Sequence, residues 1–294
     1  MRVTRVTDGI RSDREVLRRS DLIERGLRPR QITAAVQRGE LIRVRRDRYM
    51  WAPAGGIDRA VRVGGRLACV SLLELFGVFV FDSARLHLHL ERSMSRMRSP
   101  DDRGSPLDVR DRARLALHSW PLQSGDCTLG TVSIADALAQ AIRCQDTRSA
   151  VATVDSVLHL GLLTEVEVRD VFAALPSRFR VILRLADASA EAGTETFMRL
   201  LLRQLGVAYE TQVRIEGVGR VDFLVEGWLV VECDSKAHHE GWEKQRQDRR
   251  RDLAAARLGL VTLRPLAEDL FYDRERVLAA VRGLVAAHRP RRRR

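Results

Sequence analysis

Between positions 221 and 239 the chain reads VDFLVEGWLVVECDSKAHH, two apolar runs on either side of a Glu-Gly turn. Asp222, Glu232, Asp234 and Lys236 fall inside this strand pattern. Acids are depleted in strands, so four charges there require either solvent on one face or a chemical task. Side chains alternate along a strand, which puts Glu232, Asp234 and Lys236 on one face and Val231 and Cys233 on the other. The turn decides where Asp222 goes. A two-residue loop at Glu226-Gly227 sets it opposite Val231, on the wrong face. A three-residue loop, Val225-Glu226-Gly227, uses glycine in the left-handed position and sets Asp222 opposite Val230, diagonal to Glu232. Diagonal neighbours lie about 7 Å apart, near enough for two carboxylates to share a cation. Asp222, Glu232 and Asp234 are therefore the candidate metal ligands. Spacing alone proves little: with 39 acids in 294 residues an acid-x9-acid-x-acid pattern is expected about 0.65 times by chance.

The surrounding elements add context. Upstream, Thr194 is placed to cap a helix with Glu195 in its first turn and Arg199 one turn on. A first-turn acid is also what the helix dipole favours, so Glu195 has two readings. Downstream come His238 and His239, an Arg-dense helix over Gln245 to Asp252, the short strand LVTLR and a final helix. His239 reads as a solvent-exposed neighbour. Arg246, Arg249, Arg250 and Arg251 suit either a phosphate clamp or a solvated helix face. The order is helix, three strands, helix, strand.

Composition narrows the partners. A formal charge of +12 across 294 residues points to a polyanion, and the length suggests two or three domains. A 45% hydrophobic content suffices for a core. The longest apolar run, Leu67 to Phe81, is too short for a bilayer and contains Glu74, and no signal-peptide pattern opens the chain, so a cytoplasmic protein without a membrane partner is expected. Cys69, Cys127, Cys144 and Cys233 are scattered and read as reduced core thiols.

The N-terminal stretch has a helix-turn-helix grammar. Ser12-x-x-Glu15 is a capping box, Ser20 is placed to cap a second helix ending at Gly26, and Pro29 opens a third over Arg30 to Arg38, stopped by Gly39. A compact hairpin around Arg46-Asp47 follows. Three helices plus a two-stranded wing make a winged helix over residues 1–54, whose third helix enters the major groove of double-stranded DNA. Arg28, Arg30, Gln31, Gln37 and Arg38 are the candidate readers, and Arg43, Arg45, Arg46 and Arg48 the phosphate contacts of the wing. A solvated charged face is the competing reading. Ala54-Gly55-Gly56 reads as a linker. Residues 55–190 read as a mixed α/β middle domain, with ACVSLLELFGV a buried helix, RLHLHLE a strand, Ser133-x-x-Asp136 and Thr164-x-x-Glu167 capping boxes, and residues 92–106 an exposed flexible loop. His87 and His89 share a strand face at a spacing that suits a metal, but without an evident third ligand they read as surface or interface histidines. Residues 289–294 form a basic tail.

Two resemblances carry these segments further. DLIERGLRPRQITAAVQRGELIRVRRDRYMWAP resembles the N-terminal winged helix of AbiEi-type antitoxins, with Asp47 where the wing turn often carries Gly. GTETFMRLLLRQLG, VDFLVEGWLVVECDSKAHH and RQDRRRDLAAARLGLVTLR together resemble Vsr-like endonuclease domains of the PD-(D/E)xK superfamily over about residues 190–270, within an expected domain of residues 191–288. That likeness implies an α/β restriction-endonuclease-like core and a site of Glu195, Asp222, Glu232, Asp234 and His238, with Ser235 replacing the usual Gly. It implies Mg2+ (or Mn2+) held by Asp222, Glu232 and Asp234, with Lys236 or His238 orienting water or stabilising charge. Asp234 or Lys236 fills the superfamily lysine position. The expected function is a metal-dependent endonuclease aimed at DNA, in defence or DNA processing, with a cognate toxin or a second copy as further partners. The alternative is a non-catalytic antitoxin-type regulator whose nuclease fold has decayed.

Overall fold

The computed structural model describes residues 15–92, 94–233 and 242–288. The expected Ser12 cap, the motif residues Asp234, Ser235, Lys236, His238 and His239, and the basic tail lie outside them, while residues 15–18, where the helix opened by that cap was expected to run, are not helical because Leu17 pairs with Tyr49 instead. The chain is mixed α/β and divides into two compact units, one ending at Arg184 and the other starting at Leu185.

The first unit opens with α1 (Arg19–Glu24) and α2 (Pro29–Gln37), followed by the hairpin β1 (Ile42–Arg45) and β2 (Arg48–Met50). Proline sits in the first turn of α2, where its missing N–H costs nothing, and Gly39 takes φ +75 just past the end. Ser20 does not cap α1. Arg18 is the residue before the helix, and the Asp21 carboxylate accepts from its N–H at 2.8 Å. An acid at the third helical position reaches back to that orphan donor, a reach the short Ser20 hydroxyl lacks. Leu17, Leu22, Ile32, Ala35, Leu41 and Tyr49 form a small apolar core, and Leu17 pairs with Tyr49 through two 2.8 Å backbone bonds. Asp47 adopts φ +55 in the hairpin turn, and its carboxylate accepts from Arg19 N at 2.8 Å, tying the turn to α1.

Ala54-Gly55-Gly56 is folded rather than a loose linker. Ala54 is buried and Gly56 opens α3 (Ile57–Val63). A three-stranded sheet follows: β3 (Arg66–Leu67) runs antiparallel to β4 (Leu86–His89), and β4 runs parallel to β5 (Leu115–His118). Between them lie α4 (Cys69–Leu75) and α5 (Val109–Ala113), and after them α6 (Ile134–Cys144), α7 (Thr147–His159), α8 (Glu165–Ala173) and α9 (Arg180–Leu185). The Ser133 and Thr164 caps form as expected, each accepting from the N–H three residues on. The expected flexible loop is closed by pairing of Arg98 with Pro106 and by Asp102, which accepts from Gly104 N and Ser105 Oγ. His87 and His89, expected at the surface, are both buried, because helices cover that face of β4: α4 packs on the strand, and Gln140 and Cys144 of α6 meet His89 and His87. Among the described residues no helix is long and apolar enough to cross a membrane.

The second unit starts with α10 (Gly193–Leu205). The antiparallel meander β6 (Tyr209–Ile215), β7 (Gly219–Val225) and β8 (Leu229–Val231) follows, then α11 (Trp242–Arg257), then β9 (Val261–Leu263) parallel to β8. Val218, Val221, Val230 and Ala255 are the buried centre that fixes α11 on the sheet. The helices α12 (Ala267–Tyr272) and α13 (Arg274–His288) pack on α10, with Phe197 and Phe271 edge to face at 5.0 Å. The order expected for this region is the order observed, with two closing helices instead of one.

Candidate functional site

The register of the charged hairpin sets the site. Phe223 pairs with Val231, Leu224 with Val230 and Val225 with Leu229. The loop is thus Glu226-Gly227-Trp228, not Val225-Glu226-Gly227, and the strands are offset by two residues from the expected pairing. Glu226 and Gly227 take φ +51 and +74, a tight pair of left-handed residues. Glu226 is held there from both ends, its N–H donating to Ala208 O and its carboxylate accepting from Ala208 N, each at 2.9 Å. Carrying the register one step outward puts Asp222 across from Glu232 rather than diagonal to it. Such partners have Cβ atoms about 5 Å apart. On the other side of β7, the pairs Thr211 with Phe223 and Val213 with Val221 place Gln212 across from Asp222. Gln212, Asp222 and Glu232 therefore make a polar row across three strands.

Glu195 joins the row from α10. Thr194 does not cap this helix, because Ala192 occupies that position and Thr194 lies inside the first turn. Glu195 itself turns back, accepting from Glu191 N at 3.2 Å and from Gln212 Nε2 at 2.8 Å. It is 6% exposed. Burial pushes its carboxyl up to about 7, and the charge of Asp222 raises it further in the same direction. Burial also raises Asp222, against the stabilising hydrogen bond its Oδ2 accepts from Cys233 N at 2.8 Å. Glu232 is raised by burial and by Asp222, while Arg264 and Arg251 oppose the shift. Three carboxylates from α10, β7 and the end of β8 thus burden one another in a partly desolvated patch.

Two arginines answer part of that charge. Glu232 Oε1 meets Arg251 at 2.7 Å and Oε2 meets Arg264 at 2.7 Å. Arg264 also reaches Asp252 at 3.1 Å, and Arg251 donates to the carbonyls of Val218 and Arg220. Arg251, expected to touch DNA, is therefore committed to the site and the sheet. Arg249 and Arg250 stay exposed, Arg249 lying over the Trp242 ring at 5.7 Å. The role of Arg264 was not read from sequence. Its signal is positional: β9 runs parallel with Val231 beside Leu263, so an arginine after Leu263 must stand beside an acid after Val231.

No protein-family model matches this chain, and neither the curated proteins nor the solved structures compared with it yield a match.

The expected DNA-reading residues lie on and around α2. Arg28, Arg30, Gln31, Gln37 and Arg38 are exposed. Gln31 Oε1 accepts from Arg28 N at 2.7 Å. Arg38 is held by Glu40 through two bonds of 2.7 and 2.8 Å, which raises its pKa and removes it from easy reach of a phosphate. Arg43 and Arg46 are exposed on the hairpin. Arg45 is not: its guanidinium donates to Arg62 O at 2.8 Å and Arg96 O at 2.7 Å, so it fastens the hairpin to the rest of its unit.

Proposed function

We propose that the second unit is a PD-(D/E)xK-like, Vsr-like nuclease domain that hydrolyses phosphodiester bonds in double-stranded DNA with Mg2+ or Mn2+. In this reading the first unit binds duplex through a winged helix made of α1, α2 and the β1–β2 hairpin. The observation that carries the proposal is the meeting of Glu195, Asp222 and Glu232 beside Arg251 and Arg264, on an αβββαβ unit. Hard carboxylate oxygens whose pKa values are raised by burial and mutual repulsion are groups a divalent cation would draw together, relieving that repulsion, although among the described residues the three acids do not already form a gathered ligand group. Asp222, Glu195 and Glu232 are the holders, with Asp234, outside the described residues, expected as a further ligand from the resemblance. When bound, the cation polarises the scissile phosphate and lowers the pKa of water. The chain's own groups do the remainder. Gln212 orients Glu195, and Arg264 stabilises negative charge near Glu232. Glu195, with a pKa near neutrality, can hold a proton at physiological pH and would lose it to water when its carboxylate takes up a cation.

One observation favours a second reading, a non-catalytic regulator with a decayed nuclease fold: both oxygens of Glu232 are already paired with arginines. Plasmid nicking by the full chain decides between them. The nuclease reading expects nicking that depends on Mg2+ or Mn2+ and falls at least about 100-fold in Asp222→Asn, since a lost metal ligand is worth several kcal/mol of transition-state stabilisation. Intact duplex binding without cleavage in either metal supports the regulator.

A further inference from the structure

In the first unit the imidazoles of His87 and His118 approach at 3.2 Å between Nδ1 and Nε2, and Cys144 Sγ stands 3.8 Å from His87 Nδ1. With Cys69 Sγ, the four ligand atoms all lie within 4.8 Å of one another. A tetrahedral zinc with bonds of about 2.0–2.1 Å to nitrogen and about 2.3 Å to sulfur has edges of about 3.3 Å (N to N), 3.6 Å (N to S) and 3.8 Å (S to S). The His87–His118 separation of 3.2 Å and the Cys144–His87 separation of 3.8 Å lie within about 0.2 Å of those edges, and the remaining pairs stay within 4.8 Å.

We propose that Cys69, His87, His118 and Cys144 form a Cys2His2 zinc site that staples the first unit. The ligands come from four elements: the first residue of α4, the middle of β4, the end of β5 and the last residue of α6. Backbone pairing brings them together. Ala68 N donates to His87 O at 3.1 Å, and the parallel register of β4 with β5 sets His118 beside His89, one strand pleat from His87. Cys69 is held at φ +51, a left-handed conformation unusual for a residue with a side chain, and strain of this kind persists where the surroundings compensate it.

Four protein ligands leave no open position, so the site is structural rather than catalytic, and two thiolates with two imidazoles select Zn2+ over Mg2+ or Ca2+. Zn2+ displaces the thiol protons of Cys69 and Cys144 and takes neutral imidazoles at His87 Nδ1 and His118 Nε2, giving a neutral centre. The ion has a way in, because Cys144 is exposed and lines a cleft of about 250 Å³ with Asp82, Arg85 and Asp146.

The test uses the full chain, reduced, stripped with a chelator and titrated with Zn2+ against a chromogenic competitor, and in parallel with Co2+. The expected result is one Zn2+ per chain, a higher melting temperature on zinc addition, and Co2+ spectra with thiolate charge-transfer and intense tetrahedral bands. Cys144→Ser, at an exposed position that folding tolerates, should weaken zinc binding by more than about 10-fold, as loss of one of four ligands requires. Cys127→Ser and Asp222→Asn should leave it unchanged, which separates this site from the carboxylate site. The proposal is overturned if the folded wild-type chain takes up no zinc, if Cys144→Ser binds as well as wild type, or if Cys127→Ser loses binding equally. A Cys69–Cys144 disulfide in freshly purified, zinc-free protein would also overturn it.

Discussion

Glu195 is the residue whose environment most changes its chemistry. Its folded pKa, about 7, lies above its unfolded value, so the folded state holds a proton that the unfolded chain has already released. Its stabilising contribution is complete below about pH 4.5 and is lost as pH rises through about 7. The second unit should therefore melt at a lower temperature at pH 8 than at pH 5.5. Glu195→Gln should flatten that dependence by on the order of 2 kcal/mol, read by calorimetry across the pH series. Mg2+ at pH 8 should restore wild type but not the variant; an unchanged pH slope in Glu195→Gln would remove Glu195 from the site. The Glu232 pair behaves differently. Arg264→Met leaves a buried carboxylate with one arginine fewer and should cost about 2–4 kcal/mol in urea denaturation, with much of the loss recovered in the Arg264→Met, Glu232→Leu double variant. Equal losses in the single and double variants would show that the pairing is not what stabilises this corner.

At the scale of elements, the hairpin turn at Asp47 carries two tasks at once. It accepts a left-handed φ that aspartate tolerates better than most residues, and its carboxylate fixes the start of α1. Asp47→Ala should cost about 1–2 kcal/mol, from strain plus the lost hydrogen bond, while Asp47→Asn keeps both features and should cost less than about 0.5 kcal/mol. Denaturant unfolding of the full chain separates the two, and equal costs would mean that the bond to Arg19 is immaterial. The turn also shows why some structure was readable from sequence. Proline, glycine and cap residues announce α2, α6 and α8 because their signals are local. In the 221–232 hairpin the alternation of faces was legible, but neither the pairing nor the burial of the charged face was: Val230 and Glu232 on that face are 1% and 8% exposed. A slip of two residues preserves every face, so hydrophobic alternation cannot detect it, and only the left-handed pair Glu226-Gly227 selects the register. The Cys69, His87, His118 and Cys144 cluster was illegible for a related reason. Each ligand sits in a locally ordinary helix or strand, and their meeting depends on the parallel pairing of β4 with β5, which no local pattern encodes.

At the scale of the whole chain, the excess of 51 basic over 39 acidic residues does not by itself say which arginines meet a polyanion. The structure sorts them by what they already hold. Arg45 and Arg251 donate to backbone carbonyls, Arg251 and Arg264 hold Glu232, and Arg38 is clamped by Glu40. Arg28, Arg30, Arg43 and Arg46 on the first unit, and Arg249 and Arg250 on the second, remain exposed. These are among the exposed groups able to displace counterions, and each phosphate neutralised contributes about 0.9 to the slope of log K against log salt. Binding of duplex should therefore be titrated with salt in Ca2+, so that cleavage does not interfere. Arg28→Ala with Arg30→Ala should lower the slope by up to about 1.8 and relax sequence preference, because these two flank the face of α2 that reaches bases in the winged-helix reading. Arg249→Ala with Arg250→Ala should lower the slope by a similar amount and leave sequence preference intact, since a backbone clamp carries no base information. Arg45→Ala should change the slope little and instead lower the stability of the first unit, because it removes two hydrogen bonds to backbone carbonyls, one half-buried at Arg62 and one exposed at Arg96. If the Arg28 and Arg30 substitutions leave both slope and preference at wild-type values, α2 is not the element that reads DNA, and its exposed face serves contacts with another protein.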